Sequence, residues 1–335
     1  TNQDQDISFY PERFMGNTSA NRKYRFQWTY PIMFSPHDSK RMFITSQYVH
    51  TSTDYGMSWE TISPDLTRND PKTTGPTGGP ITLDQTGAET YATIFALAES
   101  PLEKGVYYTG SDDGYVYVSK DAGKNWENIT LPTTQLGDLA LISIIHCSDF
   151  VKGKVYLSAT RYMFGDRKPY AFVSTDYGKT WKSITNGIPA DEYVRVVRED
   201  PNKQGLLYMG TERGIYVSFD DGATWQSLNL NLPSTPIRDL QVQKREKDLV
   251  VSTHGRSFWI LDDITPLYEL ADNALENKKI HLFKPRHAYR MQGGQGGFRG
   301  APLDAGTNAP NGVIINYYLR EKPAKEFKMK FFTAA

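Results

Sequence analysis

Four stretches of this chain share one spacing of serine, aspartate, glycine and tryptophan, and no other feature restricts the possible fold as tightly. Aligned on the serine they begin at Ser52, Ser119, Ser174 and Ser218. The aspartates follow at Asp54, Asp121, Asp176 and Asp220, and the glycines at Gly56, Gly123, Gly178 and Gly222. Each stretch closes on a tryptophan, at Trp59, Trp126, Trp181 and Trp225. The pattern is S-x-D-x-G-x-[S/T/N]-W. Successive serines lie 67, 55 and 44 residues apart, so the unit tolerates insertions, and a repeat of this length points to a propeller, solenoid or array.

The likeness extends upstream of each motif. Alternating runs such as "GVYYTG", "GKVYLSA" and "GLLYMG" precede the second, third and fourth copies, and before them come a polar turn and another strand-like run, "TIFALAESP", "LISIIHCSD" and "YVRVVREDP". The first unit has "YPIMFSP" and "RMFITSQ" in the same places. A fifth unit, "IRDLQVQKREKDLVVSTHGRSFWILDD", has the strands without the motif. Strand, turn, strand, turn, strand, motif turn, strand is the plan of a four-stranded propeller blade. The turn chemistry fits a structural role. Glycine accepts the positive φ that a tight hairpin needs, aspartate and the hydroxyl residues satisfy turn amides, and tryptophan offers a broad apolar face to a neighbouring blade. Catalysis by the four aspartates is the poorer reading, since repetition around a ring holds them apart.

S-x-D-x-G-x-T-W resembles the Asp-box, or bacterial neuraminidase repeat, which is shared by sialidases, xyloglucanases, sortilin-type receptors and a photosystem assembly factor. Stretches such as "TSTDYGMSWETISPDLTRND", "VRVVREDPNKQGLLYMGTERGIYVSFDDGATWQSLNLNLP" and "DLVVSTHGRSFWILDDITPL" are similar to large bacterial sortilin-like propeller proteins, often called glycosyl hydrolases on the repeats alone. The resemblance covers residues 24–270 and implies an all-β propeller with Asp-box turns. In that family further blades normally precede this region, so the chain resembles a carboxy-terminal part. Eukaryotic sortilins are rich in cysteine and this chain has only Cys147, which weakens a trafficking-receptor reading.

Composition agrees with a globular β-protein: 39% hydrophobic, 13% aromatic, with 27 glycines and 19 prolines to serve many turns. Lys+Arg and Asp+Glu are equal at 38 each, so bulk charge gives no reason to expect a nucleic acid or an anionic membrane as partner. No apolar run is long enough to span a bilayer as a helix. The chain opens at Thr1 without a signal peptide and reads as a processed chain or a piece of something larger.

Residues 1–23 read as a leading arm or linker, residues 24–270 as five blades, residues 271–312 as a linker with the glycine-rich "MQGGQGGFRG", and residues 313–335 as the start of a β-rich, sandwich-like domain. The long Gly/Pro/Thr-rich loop between the first two units is of a kind that often carries function. An unclosed propeller exposes strand edges. Either five blades close alone or missing blades of the full-length chain complete the ring, and the second is the favoured expectation.

Candidate ligand-binding residues fall outside the repeats. They are Glu89 and Tyr91 in "GAETYA", Arg161, Asp166 and Arg167 in "TRYMFGDRKPY", and His254 and Arg256 in "STHGRS". The bland alternatives are surface ion pairs, solvated acids and a histidine bonded to turn backbone. Catalytic residues cannot be named. Glycoside hydrolysis needs two carboxylates about 5–9 Å apart, and Asp84, Glu89, Asp166 and Glu212 are the acids to watch. No metal or cofactor is expected, because zinc spacings, a calcium loop and nucleotide fingerprints are all missing from the sequence. The expectation is a non-catalytic protein- or peptide-binding or assembly propeller of a secreted, periplasmic or cell-surface bacterial protein, with a glycan possible as ligand. The alternative is a glycoside hydrolase acting on a polysaccharide.

Overall fold

The computed structural model describes residues 4, 6–11, 15–76, 90–288, 312–323 and 328–330. Its first sheet runs β1 (Ile32–Ser35), β2 (Asp38–Thr45), β3 (Val49–Ser52) and β4 (Glu60–Thr61). The second runs β5 (Ile94–Glu99), β6 (Tyr107–Ser111), β7 (Val116–Ser119) and β8 (Glu127–Asn128). A short helix α1 (Thr133–Leu136) leads into the third: β9 (Leu141–Cys147), β10 (Val155–Arg161), β11 (Asp166–Ser174) and β12 (Lys182–Ser183). The fourth is β13 (Val194–Glu199), β14 (Leu207–Thr211), β15 (Ile215–Ser218) and β16 (Gln226–Ser227). The fifth has three strands, β17 (Ile237–Gln243), β18 (Asp248–Thr253) and β19 (Phe258–Leu261). Each sheet is a meander in chain order, and the five form the β-propeller that the repeat predicts.

The central strands are buried on both faces, and the period of two explains how. In β6, Tyr107 joins an apolar cluster with Phe43, Val49 and Ile94 of the first two sheets, while Tyr108 joins another with Val155, Leu157 and Ile142 of the third. In β10, Val155 and Leu157 face the second sheet, whereas Tyr156 packs with Val194, Leu207 and Met209 of the fourth. The core therefore lies between blades, and each fully buried Leu or Ile contributes about 1.5–3 kcal/mol relative to exposure. Close approach is permitted by two glycines in second strands. A methyl on Gly110 would lie 2.3 Å from Ile142 Cγ2, and one on Gly210 would lie 2.6 Å from Ile237 Cγ2.

The Asp-box turns are nearly superposable in their bonding. Ser174 Oγ donates to Asp176 Oδ1 (2.7 Å) and accepts from the Gly178 amide (2.8 Å), while Asp176 accepts from the Thr180 amide (2.9 Å) and hydroxyl (2.7 Å). The turns at Asp54, Asp121 and Asp220 repeat this set, with Asn125 using its side-chain amide. The glycine takes positive φ as expected, and so does the residue before it: Tyr55, Ala122, Tyr177 and Asp221 lie at φ 58–62°. Between blades, the indole N–H groups of Trp126, Trp181 and Trp225 donate to the carbonyls of Ile62 (3.1 Å), Ile129 (3.1 Å) and Ile184 (2.6 Å).

By packing, the chain divides into residues 1–241 with 251–259 and residues 242–250 with 260–335. Within the second unit lie helix α2 (Thr265–Ala271) and a two-stranded ladder of β20 (Ile280–Leu282) with β21 (Tyr317–Leu319). There His281 Nε2 bonds Glu269 Oε2 (2.8 Å), and Arg286 donates to Asp248 (3.0 Å) and to the Glu246 carbonyl (2.7 Å). No helix among the described residues is long and apolar enough to cross a membrane.

Candidate binding face

Antiparallel alternation puts every Asp-box, between third and fourth strands, at one edge of its sheet. The connections between second and third strands, and those from one blade to the next, open at the opposite edge. The described candidates all belong to that opposite edge: Tyr91 precedes β5, Arg161, Asp166 and Arg167 flank the β10–β11 turn, and His254 and Arg256 lie in the β18–β19 turn. Glu89 and Asp84 lie outside the described residues.

At the blade 1–2 end the polar groups lock loops together. Buried Arg25 donates to the Ala92 carbonyl (2.8 Å), Asp65 (2.8 Å) and Thr67 (3.0 Å). Asp112 accepts from the Thr93 amide (2.8 Å) and hydroxyl (2.7 Å), and Asp113 accepts from Ser111 (2.6 Å) and the amides of Arg68 (2.9 Å) and Asn69 (3.1 Å). Burial, reinforced by Asp113, pushes the Asp112 carboxyl up to about 8. The Tyr91 hydroxyl is pushed up by burial and then by Asp112 and Asp113, so it stays protonated. These acids act as loop clamps.

In blade 3 the second and third strands are seven and nine residues long. Its β10–β11 hairpin ends in a 3-10 turn, Tyr162–Phe164, whose residues are 41%, 54% and 52% exposed. The base of the hairpin is cross-braced. Arg161 bonds Asp166 (3.0 Å), Tyr170 OH donates to the same carboxylate (2.7 Å), and Arg161 reaches the Asp138 carbonyl (3.3 Å), whose carboxylate pairs with Arg68 (2.8 Å). Burial alone would raise Asp166, but the Tyr170 hydroxyl, the Lys168 amide and Arg161 hold it below the usual carboxylate range.

A cation–aromatic stack continues onto blades 4 and 5. Tyr162 stacks on Tyr193 at 5.5 Å. The Arg195 guanidinium lies 4.9 Å from the Tyr193 ring and 5.5 Å from that of Tyr162, and pairs with Glu212 (3.0 Å). Arg238 donates to His254 Nδ1 through Nη2 (2.8 Å) and Nε (3.1 Å), which places the imidazole proton on Nε2. Burial and the nearby Arg195 lower the affinity of Arg238 for its proton. Arg167 and Arg256 are exposed.

The structure thus joins Arg161 to Asp166, sets Tyr91 beside Asp112 and Asp113, and places His254 against Arg238. Sequence reasoning missed Arg68, Tyr193, Arg195 and Arg238. One signal was available for two of them: "VR" in β13 and "IR" in β17 put an arginine second in a blade's first strand in consecutive units.

The family model for Sortilin-Vps10, described as sortilin, neurotensin receptor 3, matches residues 170–267. Among solved structures, the chain is similar to the GH74 xyloglucanase from Xanthomonas campestris, with 17% identity and a TM-score of 0.52 over 74% of this chain and 38% of that one. It is similar also to the Niastella koreensis GH74 enzyme, with 16% identity and a TM-score of 0.50 over 76% of this chain and 38% of that one. At such identities the likeness shows the fold alone, and the chain spans 38% of the length of each enzyme. No curated protein matches the sequence.

Proposed function

We propose that this Asp-box propeller is a non-catalytic binding or assembly module of a secreted, periplasmic or cell-surface bacterial protein, and that it holds a protein or peptide at the edge opposite the Asp-boxes. The observation that carries this reading is the exposed Tyr162–Phe164 tip beside the Tyr162–Tyr193–Arg195 stack. Rigid aromatic and arginine side chains next to exposed apolar groups are the composition of interface hot spots. The charge of the partner follows from the cations. Arg167, Arg238 and Arg256 have no carboxylate within ion-pair reach among the described residues, so an acidic segment complements them. Ile32 and Phe34 of β1 are exposed on one face of the first sheet, and since blades pack face to face this supports further blades as a second kind of partner.

The acids at this face are otherwise engaged. Asp166 and Glu212 are each held by an arginine, and Asp112 and Asp113 by hydroxyls and backbone amides. A glycosidase needs one carboxylate free to act as nucleophile or base beside a second that carries a proton. The test has two arms. On an array of acidic peptides, binding is expected, with Tyr162→Ala or Arg195→Ala weakening it about thirtyfold, equivalent to about 2 kcal/mol. On a glycan panel that includes xyloglucan, no hydrolysis is expected. Hydrolysis abolished by Asp166→Asn or Glu212→Gln would replace this reading with the glycoside hydrolase.

A further inference from the structure

At the Asp-box edge, the seam between the third and fourth sheets departs from the repeat at two positions. In the second and fourth sheets, the turn between first and second strands ends on a glycine and then a buried apolar residue. Val106 follows Gly105 and Leu206 follows Gly205, at 6% and 0% exposure. The third sheet has Lys154 there, after Gly153, and it too is 6% exposed. The backbone bonding matches, because the carbonyls of Val106, Lys154 and Leu206 accept from the amides of Ser100, Ser148 and Asp200 (2.9, 3.0 and 2.8 Å). The second departure lies in the fourth Asp-box. The residue before its glycine is Asp221, where the other boxes have Tyr55, Ala122 and Tyr177.

The two departures meet. Lys154 Nζ lies 2.8 Å from Asp221 Oδ1 and 2.6 Å from Oδ2. Contact with both oxygens leaves Nζ about 3 Å or less from Cγ, the separation of a near-attack pair. Tyr156, fully buried, donates its hydroxyl to Asp221 Oδ1 (2.6 Å), and Glu199 Oε1 stands 3.4 Å from that hydroxyl. Glu199 is buried, held by the Gly205 amide (3.0 Å) and by Ser148, and burial raises its carboxyl above the usual range. Stability alone does not call for a lysine here. Burying an ammonium carries a desolvation cost that valine and leucine in the sister sheets avoid.

We propose that Lys154 and Asp221 are the site of an intramolecular amide cross-link between the third and fourth blades, formed with the help of Tyr156 and Glu199. The ammonium gives one proton to Oδ2, and the freed Nζ lone pair adds to Cγ. The C=O pair shifts onto Oδ1, where the Tyr156 hydroxyl stabilises it. A protonated Glu199 donates to the tyrosine oxygen and strengthens that bond. The second nitrogen proton passes to Oδ2, which leaves as water while the carbonyl at Oδ1 reforms. The third proton stays on the amide nitrogen. Ammonium and carboxylate thus become amide and water, and no oxidant or other reactant is consumed. The Asp221 side chain is 44% exposed, which gives the water a way out. With one cysteine the chain cannot form an internal disulfide, and this bond supplies a covalent tie of another kind.

The test is the intact mass of the folded full chain, read after denaturation. It is expected to be one water lighter than the sequence, and trypsin is expected to release a branched peptide joining residues 153–161 to residues 214–238. Lys154→Met, apolar like Val106 and Leu206, and Asp221→Ala, as at position 122, are each expected to restore the full mass. In chains collected at the same age, Tyr156→Phe is expected to lower the linked fraction roughly tenfold or more. The exposed pair Lys120–Glu127, at 2.9 Å, is the internal control and is expected to stay unlinked. Full mass in the unsubstituted chain makes Lys154–Asp221 an ordinary ion pair and overturns the proposal, as does a mass loss that persists in Lys154→Met.

Discussion

Two buried titratable residues pull stability in opposite directions with pH. His50 is enclosed by the rings of Phe9, Tyr24, Phe26 and Tyr48, with Ser46 Oγ at 2.8 Å and Thr61 Oγ1 at 2.9 Å, and burial pushes its pKa down to about 3. The folded chain therefore holds it neutral where the unfolded chain, with an ordinary value of 6.5, takes up a proton. Its contribution is complete above that value and is lost as pH falls from 6.5 towards 3, a change on the order of a few kcal/mol. His50→Gln is expected to flatten the fall in urea midpoint between pH 7 and pH 4; an unchanged slope would show that the imidazole titrates normally. Asp112 has the opposite sign. Its folded pKa near 8 exceeds the unfolded 3.8, so it costs stability as pH rises through that window. Asp112→Asn keeps an acceptor for the Thr93 amide and offers a donor to its hydroxyl, and is expected to leave the chain as stable or more stable at pH 8. Trp225 tests the repeat itself. It is 6% exposed and bonds Ile184, so Trp225→Ala is expected to cost about 3–5 kcal/mol in urea denaturation, and the less buried Trp59→Ala less.

Between elements, the tightest constraint is the approach of one blade's first strand to the previous blade's second. Gly110→Ala in β6 or Gly210→Ala in β14 drives a methyl into Ile142 or Ile237, an overpacking that costs roughly 1–3 kcal/mol. Ile142→Val is expected to recover part of the Gly110→Ala loss, and strictly additive effects in that double-mutant cycle would mean the two side chains do not compete for space. These elements also show what the sequence makes legible. Alternation in "GVYYTG" and the S-x-D-x-G-x-[S/T/N]-W spacing are local signals, so blades and turns can be read directly. The fifth unit lacks the motif, and it has three strands. The outer strands are only two residues long, as at Glu60–Thr61, too short to carry a period. Positive φ at Tyr55 and Tyr177 is hidden too, because the turn's hydrogen bonds impose it on residues that do not ask for it. The Tyr162–Tyr193–Arg195 stack was illegible for another reason: Tyr162 comes from the third blade and Tyr193 with Arg195 from the fourth, and only the folded arrangement brings them together. Arg161 and Asp166 are five residues apart across one hairpin, which is why they alone among the candidates could be paired from sequence.

Across the whole molecule, net charge and an uncovered sheet face act together. The chain has a formal charge of zero at pH 7, so little electrostatic repulsion keeps copies apart. At the same pH, β1 leaves Ile32 63% and Phe34 54% exposed on a first strand whose counterparts in the second to fourth sheets begin on buried or half-buried residues. An exposed apolar sheet face recruits whatever can cover it. The chain by itself is therefore expected to self-associate reversibly near neutral pH, seen as a concentration-dependent sedimentation coefficient. Ile32→Thr with Phe34→Ser removes apolar surface without changing charge and is expected to weaken association at least tenfold. Association that persists in this variant but vanishes at pH 5, where the net charge rises, would assign the effect to missing repulsion. Covering the same face with further blades predicts the converse: a longer chain that closes the ring remains monomeric over the same concentration range, and Ile32→Thr with Phe34→Ser then lowers its stability.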